Sequence, residues 1–218
     1  MQSLNQLVTS GKVLYLGVSD TPAWVVSKAN QYARDHGLRQ FCVYQGRWNA
    51  AARDLEREII PMCRDEGMGI APWGSLGGGT FKTEAQRQQS SKEGRKVQAT
   101  EEQIKVSKVL EGIAERNKTH LTSVALAYVM QKQPYVFPIV GGRTVDHLKQ
   151  NLECLSIRLT EKDFEEIEGA IPFDPGFPNA FLYGPKIPQN PGQVWLMNVA
   201  GTTDYVPTPE PVRPTPDE

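Results

Sequence analysis

The chain has 218 residues, with 24 basic and 25 acidic side chains and a formal net charge of −1. Hydrophobic residues make up 39% and charged residues 22%, the composition of an ordinary folded domain. The near-neutral balance argues against a nucleic-acid or membrane-surface partner recruited by bulk electrostatics.

The N-terminal segment MQSLNQLVTSGK has neither the basic nor the apolar stretch of a secretory leader, and Ser3, Leu4, Leu7 and Val8 read as the end of a helix closed by Gly11. Four apolar runs then stand out: Lys12–Ser19 (KVLYLGVS), Gln40–Trp48 (QFCVYQGRW), Gly67–Ser75 (GMGIAPWGS) and Tyr135–Gly142 (YVFPIVGG). They are rich in β-branched and aromatic residues and nearly continuous, as expected of strands covered on both faces. Helical spacing fills the intervals. Pro22 opens a helix to about Asp35, and Asp54 caps one that carries Leu55, Ile59 and Met62 and stops at Gly67. Helices over Glu102–Asn117 and Thr122–Gln131 precede the fourth run. Thr144–Leu152 follows it, and Thr160-Glu161-Lys162-Asp163 starts another. The first three runs recur at about 28 residues, the period of βα units in a barrel or a doubly wound sheet. Alternation in this order predicts an α/β fold with parallel pairing, and four such units are visible.

Two regions break the rhythm. Gly77–Thr100 is long, rich in Gly and Gln, and basic, which predicts a mobile loop. From Pro172 to Glu218 lie 11 of the 16 prolines, so this stretch is expected to be extended or disordered. Its first part, with Phe173, Phe177, Phe181 and Tyr183, has enough aromatics to pack on the body. The organisation expected is therefore a folded unit over 1–184 and a Pro-rich tail over 185–218. No run approaches the roughly 18 apolar residues of a membrane span. Cys42, Cys63 and Cys154 are odd in number and lack a CxxC, and read as reduced, mostly buried thiols of a cytoplasmic protein.

In parallel α/β folds ligands meet the C-terminal ends of the strands. Those ends are Ser19-Asp20, Gln45, Trp73-Gly74-Ser75 and Gly141-Gly142-Arg143. Any one of them is well explained as loop or cap chemistry; four on one rim point to a ligand site. Gly141 and Gly142 before Thr144 offer backbone amides at a helix start, a place that favours an anion, and Arg143 adds a fork of donors suited to phosphate. Taken singly, Arg143 also reads as a solvated arginine, His147 as an exposed helix residue, Trp73 as core and Gln45 as a strand-end cap. Lys82 and Arg87 read either as clamps on phosphate or as solvated charges.

The segments KVLYLGVSDTPAWVV, FCVYQGRWN, GIAPWGSLGGGTF and FPIVGGRTVDHLKQN resemble the C-terminal half of the aldo-keto reductases. The likeness is to the fungal aryl-alcohol dehydrogenase branch, which includes the norsolorinic acid reductases of polyketide pathways. It runs from Leu4 to about Gly184, with the four motifs in the family's order. It implies part of a (β/α)8 TIM barrel, the four runs being strands five to eight, and NADP(H) bound without a Rossmann motif. Carried onto this sequence, Ser19, Asp20 and Gln45 fall where the family grips the nicotinamide carboxamide, although Asn or Arg is commoner at position 20. Trp73 falls where an aromatic ring stacks on the nicotinamide. Gly74, Ser75, Leu76, Gly77 and Gly78 match the loop along the pyrophosphate, where backbone amides and Ser75 can donate. Arg143 and His147 match the contacts to the 2′-phosphate, and Gln150 and Asn151 those to adenine.

The family's catalytic Asp, Tyr, Lys and His belong to earlier strands, and no counterpart is found in this sequence. Tyr15 and Tyr44 have no lysine and histidine paired with them by the pattern. Without a proton donor at the carbonyl, the loss in rate is on the order of 10²–10⁴. The expected activity is therefore an NADP(H)-dependent oxidoreductase acting on an aldehyde, ketone or aryl alcohol, in fungal secondary metabolism. The competing expectation is a catalytically inactive nucleotide-binding remnant or subunit. Open sheet edges also suggest self-association. Other motifs fail: Gly67-x-Gly69 lacks a third glycine, Gly77-Gly78-Gly79 has no GK[ST], and His36, His120 and His147 are too scattered for zinc.

Overall fold

A computed structural model describes residues 1–89, 98–202 and 204–215. Helix α1 (Gln2–Thr9) ends at Gly11, whose φ of 74° is the left-handed turn that glycine permits. Strands β1 (Leu16–Ser19), β2 (Phe41–Arg47) and β3 (Gly69–Trp73) form a parallel sheet in that order. Helix α2 (Ala23–Asp35) connects the first pair, and α3 (Ile59–Asp65), preceded by a 3-10 turn at Asp54–Glu56, connects the second. The single helix expected from Asp54 is thus two pieces. Pro61 is the reason: in a continuous helix its ring would clash with the carbonyl of Arg57, whereas as the third residue of α3 its missing N–H costs nothing.

Register fixes the two faces of the sheet. Val18, Tyr44 and Ile70 lie side by side, and one residue further along so do Ser19, Gln45 and Ala71. Tyr44 and Ile70 are buried together with Val26, Ile60 and Met62 under the helices. The opposite face carries Gln45 and Trp73, with Phe137 of the following segment reaching over Gly69.

The fourth run departs from expectation: Tyr135–Gly142 is not a full strand. It lies parallel to β3 through a single bridge, Ile70 to Val136. The N–H of Ile70 donates to Tyr135 O, that of Phe137 to Ile70 O, and that of Ile139 to Pro72 O. The rung between the last two would need an N–H from residue 72, and proline has none, so the ladder is interrupted where the sequence pattern looks most strand-like.

The remaining helices are α4 (Glu84–Gln89), α5 (Glu101–Arg116), α6 (Leu121–Lys132), α7 (Val145–Leu152), α8 (Glu161–Gly169), α9 (Asn179–Tyr183) and α10 (Trp195–Ala200). Thr100 with Gln103 and Thr160 with Asp163 form reciprocal capping boxes at the starts of α5 and α8. The 77–100 segment is not all loop, because α4 forms within it; its residues 90–97 lie outside those described.

The C-terminal stretch corrects a second expectation. Helices α9 and α10 form in the windows between prolines, Pro178 to Pro185 and Pro191 to Pro207, where backbone donors are available. The proline-rich parts supply carbonyls instead, and arginines of the body bond them: Arg57 to Asp174 O at 2.8 Å, Arg64 to Pro188 O at 3.2 Å and Arg158 to Pro214 O at 2.8 Å. The ring of Phe173 lies 4.6 Å beneath the guanidinium of Arg53.

That guanidinium belongs to a buried charge cluster. Arg53 grips Glu56 with two hydrogen bonds of 2.9 and 2.8 Å, and Trp48 Nε1 donates to the same carboxylate at 3.0 Å. Lys132 Nζ lies 3.1 Å from Glu56 and 2.5 Å from Glu168. Two cations and two anions balance, which is what makes their burial tolerable. Burial pushes the Glu56 carboxyl up, but the hydrogen bond from Arg53 and the charges of Lys132 and Arg53 outweigh it and hold it below the ordinary 4.5. The unfolded chain therefore takes up this proton first. The stabilisation from Glu56 is complete above about pH 4.5 and disappears as pH falls through the lower folded value. Glu56→Ala leaves two buried cations, Arg53 and Lys132, to share Glu168 alone and is expected to lower unfolding stability by about 3–5 kcal/mol in urea titrations at pH 7, with the difference from wild type shrinking as the pH is lowered.

Candidate functional site

The C-terminal ends of the three strands bring Ser19, Asp20, Gln45 and Trp73 together. Ser19 and Gln45 are paired in register, so a hydroxyl and a carboxamide stand side by side on the face away from the helices. The N–H of Asp20 donates to Gln45 O at 3.1 Å, which extends the β1–β2 ladder by one rung. Trp73 pairs with Arg47 two residues beyond, and the residue is 40% exposed, leaving part of the indole open. Its Nε1 donates to Asp20 Oδ1 at 3.3 Å, while Ser19 Oγ donates to Asp20 Oδ2 at 3.2 Å. The indole is thus oriented by a carboxylate that a serine holds in turn. An open aromatic face beside an amide and a hydroxyl suits a flat heteroaromatic ring bearing a carboxamide.

The loop after β3 is a chain of tight turns. Gly77, at φ 66°, sits where a Cβ would approach Thr80 Oγ1 to 2.6 Å and the Phe81 ring to 2.9 Å, so no other residue fits. Leu76 is half-buried against the core, while Gly78 is exposed. Ser75 departs from expectation. Its side chain is buried and its hydroxyl faces the carbonyls of Trp48 and Pro72, at 3.4 and 3.5 Å. The hydroxyl is buried and has its one proton to share between these two backbone acceptors.

The segment following Ile139 leads to Gly142, Arg143 and α7 at the same end of the sheet. Thr144 caps α7 by accepting the His147 N–H, and the Arg143 N–H donates to His147 Nδ1 at 3.2 Å. A Cβ on Gly142 would come within 2.9 Å of His147 Cβ, so glycine is required for the ring to fold back. His147 therefore caps the helix start as well as lying beside Arg143, and both are exposed. On the next turn Gln150 is half-buried and Asn151 buried; Gln150 presents more surface than its neighbour. Arg87 bends back to the Lys82 carbonyl and lies 3.7 Å from Glu84.

Three residues of this mouth have structural roles that sequence reasoning did not assign. The Tyr44 hydroxyl accepts the Thr21 N–H at 3.0 Å and donates to Thr21 O at 2.8 Å, which pins the Ser19–Thr21 turn; burial raises its pKa. Asn49 donates to Gly74 O at 2.9 Å and ties the end of β2 to the loop after β3. Arg47 contributes a cation next to Trp73. Of these only Tyr44 was weighed from the sequence, as a tyrosine without a paired lysine and histidine. A tyrosine–lysine hydrogen bond does occur, Lys132 Nζ to Tyr128 OH at 3.0 Å, but Tyr128 is fully buried among helices and burial drives its pKa well up. It is not placed to protonate a ligand at the mouth.

Residues 1–172 match the model of the aldo/keto reductase family. The chain belongs to the aldo/keto reductase family. It is 59% identical to norsolorinic acid reductase B of Dothistroma septosporum, covering 99% of this chain and 57% of the relative. It is 49% identical to an aryl-alcohol dehydrogenase of Pestalotiopsis microspora, covering 98% and 56%. The chain thus spans little more than half the length of these relatives. A crystal structure of the thermostable aldo-keto reductase Tm1743, in complex with the inhibitor epalrestat, superimposes with a TM-score of 0.60 at 21% identity, over 78% of this chain and 53% of that one. That likeness supports a fold of the TIM-barrel type.

Tyr44→Phe removes both partners of Thr21 while leaving the ring in the core. It is expected to lower stability by about 1–2 kcal/mol in chemical denaturation and to speed amide exchange at Asp20 and Thr21; unchanged exchange there would show that the turn is held by something else.

Proposed function

We propose that these residues form the nucleotide-holding half of an NADP(H)-dependent oxidoreductase that reduces an aldehyde or ketone, or oxidises an aryl alcohol, in fungal secondary metabolism. The observation that carries this reading is the convergence of Ser19, Gln45 and the open face of Trp73 at one mouth, with Asp20 locking the indole. The names of the relatives agree with the substrate class. The donor set fits the cofactor. Ser19 and Gln45 would hold the carboxamide, Trp73 would support one face of the ring, the backbone from Gly74 to Gly78 would run along the pyrophosphate, and Arg143 with the start of α7 would take the 2′-phosphate. Bound NADPH supplies a hydride to a carbonyl carbon. This chain's part is to orient the ring so that the face turned away from Trp73 meets the substrate. Proton delivery to the carbonyl oxygen is not assigned to any residue of this mouth.

A second reading, an inactive nucleotide-binding remnant or subunit, is favoured by the burial of the Tyr128–Lys132 pair among the helices, away from the mouth. The exposed Tyr15, Phe137 and Ile139 at the two edges and the open face of the sheet would also allow copies to associate.

NADPH fluorescence separates these readings. Enhancement on binding, with consumption of NADPH over a panel of aromatic aldehydes, supports the enzyme; enhancement without consumption supports the binding module; no enhancement contradicts both. Arg143→Ala is expected to weaken NADPH about tenfold or more, the loss of one charge-assisted phosphate contact, with little change for NADH. Equal loss for both would remove Arg143 from the 2′-phosphate.

A further inference from the structure

We infer that Asp20 biases this mouth toward the oxidised cofactor, by setting an unneutralised carboxylate beside the ring that is cationic only in NADP⁺. The inference rests on the nicotinamide reading above and deepens it.

Asp20 follows β1 directly with φ 48°. This left-handed conformation is uncommon for side-chain-bearing residues and is tolerated best by Asn and Asp. It turns the carboxylate into the mouth rather than along the strand. Both oxygens are engaged there, Oδ2 by the Ser19 hydroxyl at 3.2 Å and Oδ1 by Trp73 Nε1 at 3.3 Å. Both donors are neutral. Among the described residues no lysine or arginine forms an ion pair with Asp20, and the cation closest along the rim by register, Arg47, is 3.9 Å from Asp54 instead. The negative charge is therefore oriented but not cancelled.

A ring lying on the Trp73 indole is a close neighbour of a carboxylate bonded to that indole's nitrogen. The carboxylate attracts a pyridinium and is indifferent to a dihydropyridine. In water, opposite unit charges 4–6 Å apart favour association by about three- to sixfold, and by more as water is excluded. An asparagine at position 20 would keep the acceptor for the indole N–H and tolerate the same φ, with the Ser19 hydroxyl turning to accept from Nδ2 instead of donating, so Asp20→Asn removes the charge while keeping both contacts.

Calorimetric titrations of the wild-type and Asp20→Asn proteins with NADP⁺, NADPH and adenosine 2′,5′-bisphosphate, which has no nicotinamide, test this. The expected result is a three- to sixfold weaker NADP⁺ complex in the variant, with NADPH unchanged or tighter and the bisphosphate unaffected. Equal changes for NADP⁺ and NADPH, or none, would overturn the role of Asp20 while leaving the site intact. Wild-type protein that binds the bisphosphate as tightly as either whole nucleotide would instead overturn the nicotinamide site itself, and the inference with it. Circular dichroism checks that the variant folds; should it not, Asp20→Ser, which also keeps a side-chain acceptor, is read against the same outcomes.

Discussion

The parallel register of three short strands is the constraint on which the rest depends. Because Ser19 stands opposite Gln45 and Trp73 follows Ala71 by two residues on the same face, the three functional groups end at one rim and point the same way. A slip by one residue would turn every one of them into the helices. What prevents the slip is the other face: Tyr44, Ile70 and Val26 fill a core that could not accept Gln45 or Ser19 in their place. Tyr44 joins the two faces in function, since its ring belongs to the core while its hydroxyl fixes the turn that presents Ser19 and Asp20.

Packing behind the sheet has its own logic. Helix α6 is buried along most of its length and ends at Lys132, which enters the Arg53–Glu56–Glu168 cluster. A continuous apolar contact there would be cheaper to bury than four charges, but the cluster joins the turn after β2, the end of α6 and α8 in one arrangement. Phe173 closes it from the C-terminal side, so the beginning of the Pro-rich stretch is part of the same assembly.

Much of this was legible in the sequence. The three strands, the helices between them and the capped start at Thr160 follow from apolar periodicity and from Ser, Thr and Gly placement, because these are local effects. The strand ends carrying Ser19, Gln45 and Trp73 follow from the same pattern. The departures are also local in origin but needed the partner to be seen. Pro72 looks like an ordinary strand residue until its missing N–H is counted against Phe137 O. Pro61 decides where α3 can start. The proline count from Pro172 onward concealed two proline-free windows long enough for a helical turn or two. The family resemblance implies Ser75 as a phosphate donor, and only the positions of the Trp48 and Pro72 carbonyls reveal that its hydroxyl is already spent on the backbone. The Trp73–Asp20 hydrogen bond joins residues 53 apart in sequence, and no local pattern announces it.

The most direct test of the central claim is a crystal structure of this protein grown with NADP⁺. The account predicts electron density for a pyridine ring flat against the Trp73 indole, its carboxamide within hydrogen-bonding distance of Ser19 Oγ and the Gln45 side chain. A nucleotide bound with its nicotinamide in solvent, or seated anywhere other than on that indole, would contradict it.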